Sequence, residues 1–347
     1  MIEAAREKIL IVGPAWIGDM VMAQTLFTRL KSNDPSCKIT VLAPGWAKPV
    51  LERMPEVDNS IDLPLAHGEL GLSKRKRIGR SLKNEGYTQA IVLPNSFKSA
   101  LIPFHASIPR RIGWRGEWRT PLLTDCRRLA KENYPLMIQR FASLAEPVAD
   151  LPPLNIQPPH FTVDENIRQA CLDKFSLSLE QTVVAICPGA EFGAAKQWPT
   201  EHFIEYCNER LAQGQQVWLF GSSNDQQVAQ EIESKIEPRF KASFRNLAGL
   251  TALAEAIDLL SFAQICISND SGLMHVAAAL NVPVVAIYGS TSPDFTPPLG
   301  GKAEILTTDI ECRPCFQRKC PLGHLKCLKE IEPSQVLEAS DKLLQQT

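Results

Sequence analysis

Three short stretches of this chain combine residue types that could hold an anion or move a proton. The first is Gly13-Pro14-Ala15-Trp16-Ile17-Gly18-Asp19, between an apolar run, Lys8 to Val12, and a helical pattern. Glycines at such a turn allow close approach of a ligand to the backbone. Asp19 reads either as a helix N-cap or as a carboxylate base. The second stretch runs from Cys187 to Pro199 and joins a small-residue turn, with Gly189 and Ala190, to a single Lys196. Exposed backbone amides beside one ammonium suit a diphosphate; the alternative is an ordinary turn with a solvated lysine. Thr200 is placed to cap the next helix. The third is Ser268-Asn269-Asp270-Ser271-Gly272-Leu273-Met274-His275, where an apolar strand ends in polar residues and a helix opens. The amides and dipole of that helix start favour an anion, and His275 lies about one turn in. Neither G-x-G-x-x-G nor G-x-x-x-x-G-K-[ST] is present, and no acid clearly ends the second strand, where Leu42-Ala43-Pro44 stands.

A fourth cluster is Cys312, Cys315, Cys320 and Cys327, spaced C-x2-C-x4-C-x6-C with His324 inside. C-x2-C is a chelating step, so structural zinc or an iron–sulfur cluster is one reading; reduced thiols or disulfides are the others. The six remaining cysteines are scattered, mostly in apolar runs, and read as small reduced core residues.

These residues need a scaffold, and the chain alternates strand and helix patterns. Apolar strands are expected at 8–12, 39–42, 60–63 and 90–93, with helices near 19–31, 46–54 and 73–86 between them. After Glu146–Pro159, where proline crowds out helix and central strand, strands recur at 183–186, 217–220, 265–267 and 284–287. Helices are expected near 200–213, 225–236, 251–262 and 272–280. The pattern predicts an α/β chain of two Rossmann-like, doubly wound parallel sheets, domains 1–150 and 151–347, facing across a cleft. The C-terminal helix could pack back on the first domain. In such sheets ligands lie beyond the carboxyl ends of the strands, so a shared site is expected in the cleft.

The chain has 347 residues, 44% hydrophobic and 22% charged, which fits two globular domains and argues against extended disorder. The start, MIEAAREK, does not read as a secretory signal, and no 18-residue apolar stretch is present; a cytoplasmic protein is expected, peripheral on the inner membrane at most. Residues 1–146 carry 22 Lys and Arg against 14 Asp and Glu, a net of +8, while the remainder carries −9. A basic half suggests an anionic partner. Lys98, Arg110, Arg111, Arg115 and Arg119 are interleaved with Phe97, Trp114 and Trp118, where a guanidinium can grip a carboxylate or phosphate bidentately. Lys74-Arg75-Lys76-Arg77 either meets anionic headgroups or is a solvated face.

In order, GPAWIGDMVMAQ, PNSFKSAL, RIGWRGEWR, CPGAEFGAAKQWP, FGSSND, RNLAG, SNDSGLMHVAAAL and YGSTSPDFTPP resemble the ADP-heptose:lipopolysaccharide heptosyltransferase II family, from about residue 8 to 298. The heptosyltransferase I family is similar to a lesser degree. The resemblance implies the GT-B architecture and an inverting glycosyltransferase with no cofactor required for catalysis. It implies transfer of L-glycero-D-manno-heptose from ADP-heptose to the first heptose of the lipopolysaccharide inner core. By the same resemblance Asp19 is the general base. The donor would lie on Gly189, Ala190, Lys196, Asp270, Ser271, Gly272 and His275. Ser222 or Ser223 stands where relatives hold the ribose with an acid, a departure that makes Asp225 a nearby candidate. Leu250 and Thr251 stand near the adenine pocket. The acceptor, with its Kdo carboxylates, would meet Gly18, Asn95, Lys98, Trp114, Arg115 and Arg119. Similar cysteine-rich segments occur in many relatives and are lacking in others, which argues against a role in the transfer step; a structural clip at Cys312, Cys315, Cys320 and Cys327 is expected instead. Arg313, Arg318 and Lys319 beside them could instead meet donor phosphate or acceptor. A monomer that binds no nucleic acid is expected. The competing readings are another GT-B transferase or a nucleotide-sugar epimerase, and a nucleic-acid- or membrane-surface-binding protein, for which no motif speaks.

Overall fold

The computed structural model describes residues 6–66 and 68–346. Residues 1–5, read above for a targeting signal, lie outside the described residues. The chain divides into two compact units at Pro159/His160. The proline-rich segment therefore belongs to the first unit rather than standing between the two. It is tied down there: Tyr134 Oη donates to the Ala149 carbonyl (2.6 Å), Asn133 Nδ2 to the Asp150 carbonyl (2.9 Å), and Arg29 pairs with Glu146.

In the first unit the strands are β1 (Lys8–Val12), β2 (Lys38–Ala43), β3 (Asn59–Asp62), β4 (Gln89–Val92), β5 (Arg110–Trp114) and β6 (Asp125–Arg127). The helices are α1 (Ile17–Asn33), α2 (Lys48–Leu51), α3 (Leu72–Ser81), α4 (Leu101–His105) and α5 (Met137–Ala142). All strand pairs are parallel, in the order β3-β2-β1-β4-β5-β6. The central strands are covered on both faces, which is why they read as unbroken apolar runs. The face expected on α1 was Met20, Ala23, Phe27 and Leu30. Burial extends further, to Val21, Met22 and Leu26, because α5 packs on the helix as well as the sheet.

The second unit repeats the plan. Its strands are β7 (Val183–Cys187), β8 (Gln216–Leu219), β9 (Phe244–Asn246), β10 (Ile265–Asn269), β11 (Val284–Ile287) and β12 (Ala303–Leu306). Its helices are α6 (Glu165–Phe175), α7 (Thr200–Ala212), α8 (Gln226–Ser234), α9 (Leu253–Leu260), α10 (Gly272–Ala279), α11 (Lys326–Lys329) and α12 (Pro333–Leu344). The parallel order is β12-β11-β10-β7-β8-β9. Counted within the unit, that is again 3-2-1-4-5-6, the doubly wound arrangement. Asp164 caps α6 by accepting the Asn166 and Ile167 amides at 2.9 and 3.2 Å. The expected cap at Thr200 is not made. Pro199 holds the N-cap position and Thr200 is the first helical residue. Val336, Ala339 and Leu343 of α12 join the core of the second unit.

The shared order sets where ligands can lie. In each sheet the strand order reverses between the first and fourth strands, which run parallel, and the connections leaving those two strands splay apart into a crevice. Here those strands are β1 with β4, and β7 with β10. The loops and helix starts that follow them carry Asp19 and Lys98 in one unit, and Lys196 and Asp270 to His275 in the other. Among the described residues no helix is long and apolar enough to cross a membrane.

Candidate active site

The second unit brings its two predicted loops together. Asn269, at the end of β10, accepts the Trp198 backbone N–H (3.0 Å) and donates to the Pro188 carbonyl (2.7 Å). A fully buried amide thus ties both ends of the 188–198 loop to the strand that delivers Asp270. The consequence is an ion pair, Lys196 Nζ to Asp270 Oδ2 at 2.6 Å, with the side chains 14% and 4% exposed. Thr291, from the loop after β11, donates its hydroxyl to the same carboxylate oxygen at 2.5 Å. Neither Asn269 nor Thr291 was singled out from sequence. The available signal for Asn269 was the polar Ser-Asn end of a strand that begins Ile-Cys-Ile.

Ser271 is the N-cap of α10, extended at φ −144° and ψ 172°, with no side-chain cap bond. The first amides of the helix are therefore not consumed by a capping hydroxyl, which suits an anion. His275 is buried on the same helix. Burial pushes its pKa down to about 4, the Asp270 charge opposing and Lys196 adding to the shift. At neutral pH it is an uncharged imidazole that can give or take one hydrogen bond.

Gly189 sits against Asp225. A Cβ at Gly189 would lie 2.4 Å from Asp225 Oδ1, so the glycine lets the carboxylate approach the end of β7. Asp225 Oδ2 accepts the Ser222 N–H (2.7 Å) and its Oγ–H (2.8 Å). Ser222 and Ser223 thus serve as supports in a short turn around an acid, and the acid faces the loop. Ala190 is buried. Leu250 presents a side chain 62% exposed, and Thr251 Oγ1 bonds back to the Leu247 carbonyl (3.4 Å).

In the first unit Asp19 is not the N-cap of α1. Trp16 holds that position, and Asp19 is the third residue of the helix, half-buried in its first turn next to Gly18. A carboxylate there interacts favourably with the positive end of the helix.

Two of the predicted acceptor contacts prove to be internal. Trp114 is 6% exposed, its Nε1–H donates to the Arg140 carbonyl (2.9 Å) and its ring packs on Tyr134. Arg119 is fully buried. Its guanidinium donates to the Pro94 and Trp114 carbonyls and to Asn95 Oδ1 (2.9 Å). Burial brings its pKa down to about 10, so it stays charged at neutral pH. Arg119 thereby laces the loop after β4 to the loop after β5, with Asn95 as part of the lacing. Glu117 adds a second tie by accepting the Phe97 N–H at 2.6 Å. Arg111 is likewise turned inward, onto the Leu122 and Ile108 carbonyls. Lys98 is left half-buried, while Arg115 and Trp118 (88% exposed) stand out from the laced loops. In the basic run, Arg75 is buried on the Leu70 and Glu69 carbonyls, whereas Lys74, Lys76 and Arg77 are exposed. A cavity of about 430 Å³ in this unit is lined by Arg29, Trp114, Tyr134 and residues 146–149 and 151–154, away from Asp19 and Lys98.

All four clustered cysteines are free thiols. Burial raises the pKa of Cys327, and the charges of Cys312, Cys320 and Cys315 add to it. Backbone N–H groups, that of Leu325 foremost, lower that of Cys320. Among the described residues no three His, Cys, Asp or Glu side chains are arranged to hold one metal ion.

A parallel α/β chain with paired doubly wound units, a lysine and a helix start at one switch point, and a carboxylate at the other is the outline of a nucleotide-sugar glycosyltransferase. The glycosyltransferase family 9 (heptosyltransferase) model matches residues 75–326, and the chain belongs to that family. It is 45% identical to lipopolysaccharide heptosyltransferase 2 of Escherichia coli K12, over 98% of this chain and 99% of that protein. It is also 45% identical to lipooligosaccharide heptosyltransferase 2 of Haemophilus influenzae, over 97% and 99%. Among solved structures, E. coli ADP-heptose lipopolysaccharide heptosyltransferase II superposes with a TM-score of 0.89 at 43% identity, covering 98% of this chain and 99% of that one. A family 9 glycosyltransferase from Veillonella parvula shares the fold, with a TM-score of 0.85 at 22% identity over 100% and 99%.

Proposed function

We propose that this enzyme moves L-glycero-D-manno-heptose from ADP-heptose to the first heptose of the lipopolysaccharide inner core, with inversion at the anomeric carbon. The observation that carries the reading is the Lys196–Asp270 pair beside the open helix start of α10, at the switch point of the second sheet. A diphosphate arriving there gains the lysine, the Ser271 and Gly272 amides and a neutral His275. Asp225 takes the ribose hydroxyls beside Gly189, with Ser222 and Ser223 shaping its turn, and the exposed Leu250 and Thr251 flank the adenine.

In the reaction the acceptor hydroxyl oxygen attacks C1 of the heptose and the C1–O bond to the diphosphate breaks. Asp19 takes the hydroxyl proton, and ADP departs with the bonding electron pair onto Lys196 and the α10 amides. Lys98, Arg115 and Trp118 meet the anionic acceptor, held in place by Gly18, Asn95 and the buried Arg119. The exposed Leu70 and Leu72 beside Lys74, Lys76 and Arg77 suit an anionic membrane surface, where such an acceptor is anchored.

The test is transfer from ADP-heptose to a core acceptor ending in the first heptose, with other nucleotide sugars as controls. Turnover with ADP-heptose alone among the donors is expected. Equal or faster turnover with another nucleotide sugar would overturn the donor assignment.

A further inference from the structure

The cysteine-rich segment is built into the same end of the second sheet as the donor loop. Between β12 and α11 the chain comes back over the strand ends. There the Ala195 N–H donates to the Arg318 carbonyl (3.1 Å), and the Phe316 N–H to the Ser290 carbonyl (2.7 Å). The Ser290 N–H donates in turn to the Ala195 carbonyl (3.1 Å). Arg313 adds hydrogen bonds to the Gly289, Thr291 and Thr308 carbonyls at 3.2–3.3 Å. The fit is close. Gly193, at φ +148°, would place a Cβ 2.5 Å from the Arg318 carbonyl oxygen.

This docking brings Arg318 and Lys196 to the same aromatic ring. The Lys196 ammonium lies 5.1 Å from the centre of the Phe192 ring and the Arg318 guanidinium 5.5 Å from the same centre. The two cations are not equivalent. Lys196 is already neutralised by Asp270, and His275 carries no charge at neutral pH, so these three groups offer a diphosphate almost no net charge. The donors of Arg313 are engaged with carbonyls, and Glu191 takes Asn224. The guanidinium of Arg318 is exposed and makes no ion pair among the described residues. At the same seam the hydroxyl of Ser290, 1% exposed, has no hydrogen-bond partner among the described residues.

We propose that Arg318 is a second phosphate-binding residue of the donor site, supplying the unneutralised positive charge that the Lys196–Asp270 pair lacks. The inference rests on the donor reading above. The cysteine-rich segment then matters for positioning this arginine, and its cysteines need not touch the sugar.

Calorimetry with ADP on the wild type, Arg318→Gln, Arg318→Lys and Lys196→Ala tests it. One lost charge-assisted contact predicts a Kd raised roughly tenfold or more in Arg318→Gln. Partial recovery in Arg318→Lys and a shallower salt dependence are also expected. Arg318 is exposed, so the fold should survive its replacement. If Lys196→Ala weakens ADP binding while Arg318→Gln stays within twofold of wild type, the proposal falls and the donor reading stands. If the wild type itself binds no ADP, the donor reading falls.

Discussion

Removing Lys196 should do two separable things, because the lysine is expected to grip the donor and is also the partner of a buried carboxylate. Lys196→Ala leaves Asp270, 4% exposed, with only the Thr291 hydroxyl on Oδ2. Breaking a buried pair from one side costs about 3–5 kcal/mol. In a unit of this size each kcal/mol lowers the melting midpoint by roughly 2–4 °C, so the second unit should melt roughly 6–20 °C lower. Adding Asp270→Asn removes the stranded charge, so the double variant should regain most of that loss. ADP affinity should behave differently. The lost charge-assisted contact is worth roughly 1.5–3 kcal/mol, a Kd increase of about ten- to a hundredfold. That loss should persist in the double variant, since the cation is still missing. Differential scanning calorimetry and titration with ADP on the two variants separate the effects. The reasoning is refuted if Lys196→Ala melts like the wild type, or if the double variant binds ADP as the wild type does.

Three further expectations follow from the same geometry. His275 has a folded pKa near 4 against about 6.5 unfolded, so the unfolded chain binds the extra proton first. Its contribution, about 3 kcal/mol, is present above pH 6.5 and is lost as pH falls toward 4. Denaturant melts across that range should show the decline, and a His275 proton titrating near pH 6.5 by NMR would contradict it. Arg119→Met should cost about 2–4 kcal/mol through stranded carbonyls and a slackened loop pair, and should raise the acceptor KM while leaving ADP affinity unchanged. A variant with normal stability and normal acceptor KM would contradict the lacing role. Leu70→Ser with Lys76→Gln and Arg77→Gln should reduce binding to vesicles containing anionic lipid by roughly tenfold or more, at about 1 kcal/mol per removed charge. Unchanged sedimentation with such vesicles would show that this face does not meet the membrane.

The fold was legible wherever strands are buried on both faces. Ile9 to Val12 and Val183 to Cys187 could be read because a central parallel strand has no solvent face to carry polar residues. Among the edge and outer strands, Asn59–Asp62 matches the strand expected at 60–63, but β5, β6, β9 and β12 leave no such pattern. Arg110–Trp114 looks like a basic binding loop, and Asp125–Arg127 and Phe244–Asn246 are three residues each, too short for a period. At the site, residue types at strand ends single out loops that the fold places at the switch points, but not where each side chain turns. Trp114 and Arg119 belong to a stretch rich in bases and aromatics, yet one ring fills the core and one guanidinium ties carbonyls together. Composition cannot tell a buried arginine satisfied by backbone from an exposed one awaiting a ligand. The Lys196–Asp270 pair joins residues 74 positions apart and depends on β7 lying next to β10. Spacing holds no trace of that neighbourhood, nor of the cysteine-rich segment resting on Gly193.

The central claim is that Asp19 removes the proton from the acceptor hydroxyl while ADP leaves from the second unit. Steady-state transfer from ADP-heptose to a heptose-terminated core acceptor, comparing wild type with Asp19→Asn, addresses it directly when ADP affinity is measured in parallel. Loss of the general base should lower kcat by roughly 10²–10⁴-fold with ADP affinity unchanged within twofold. Turnover within a few-fold of wild type would contradict the account.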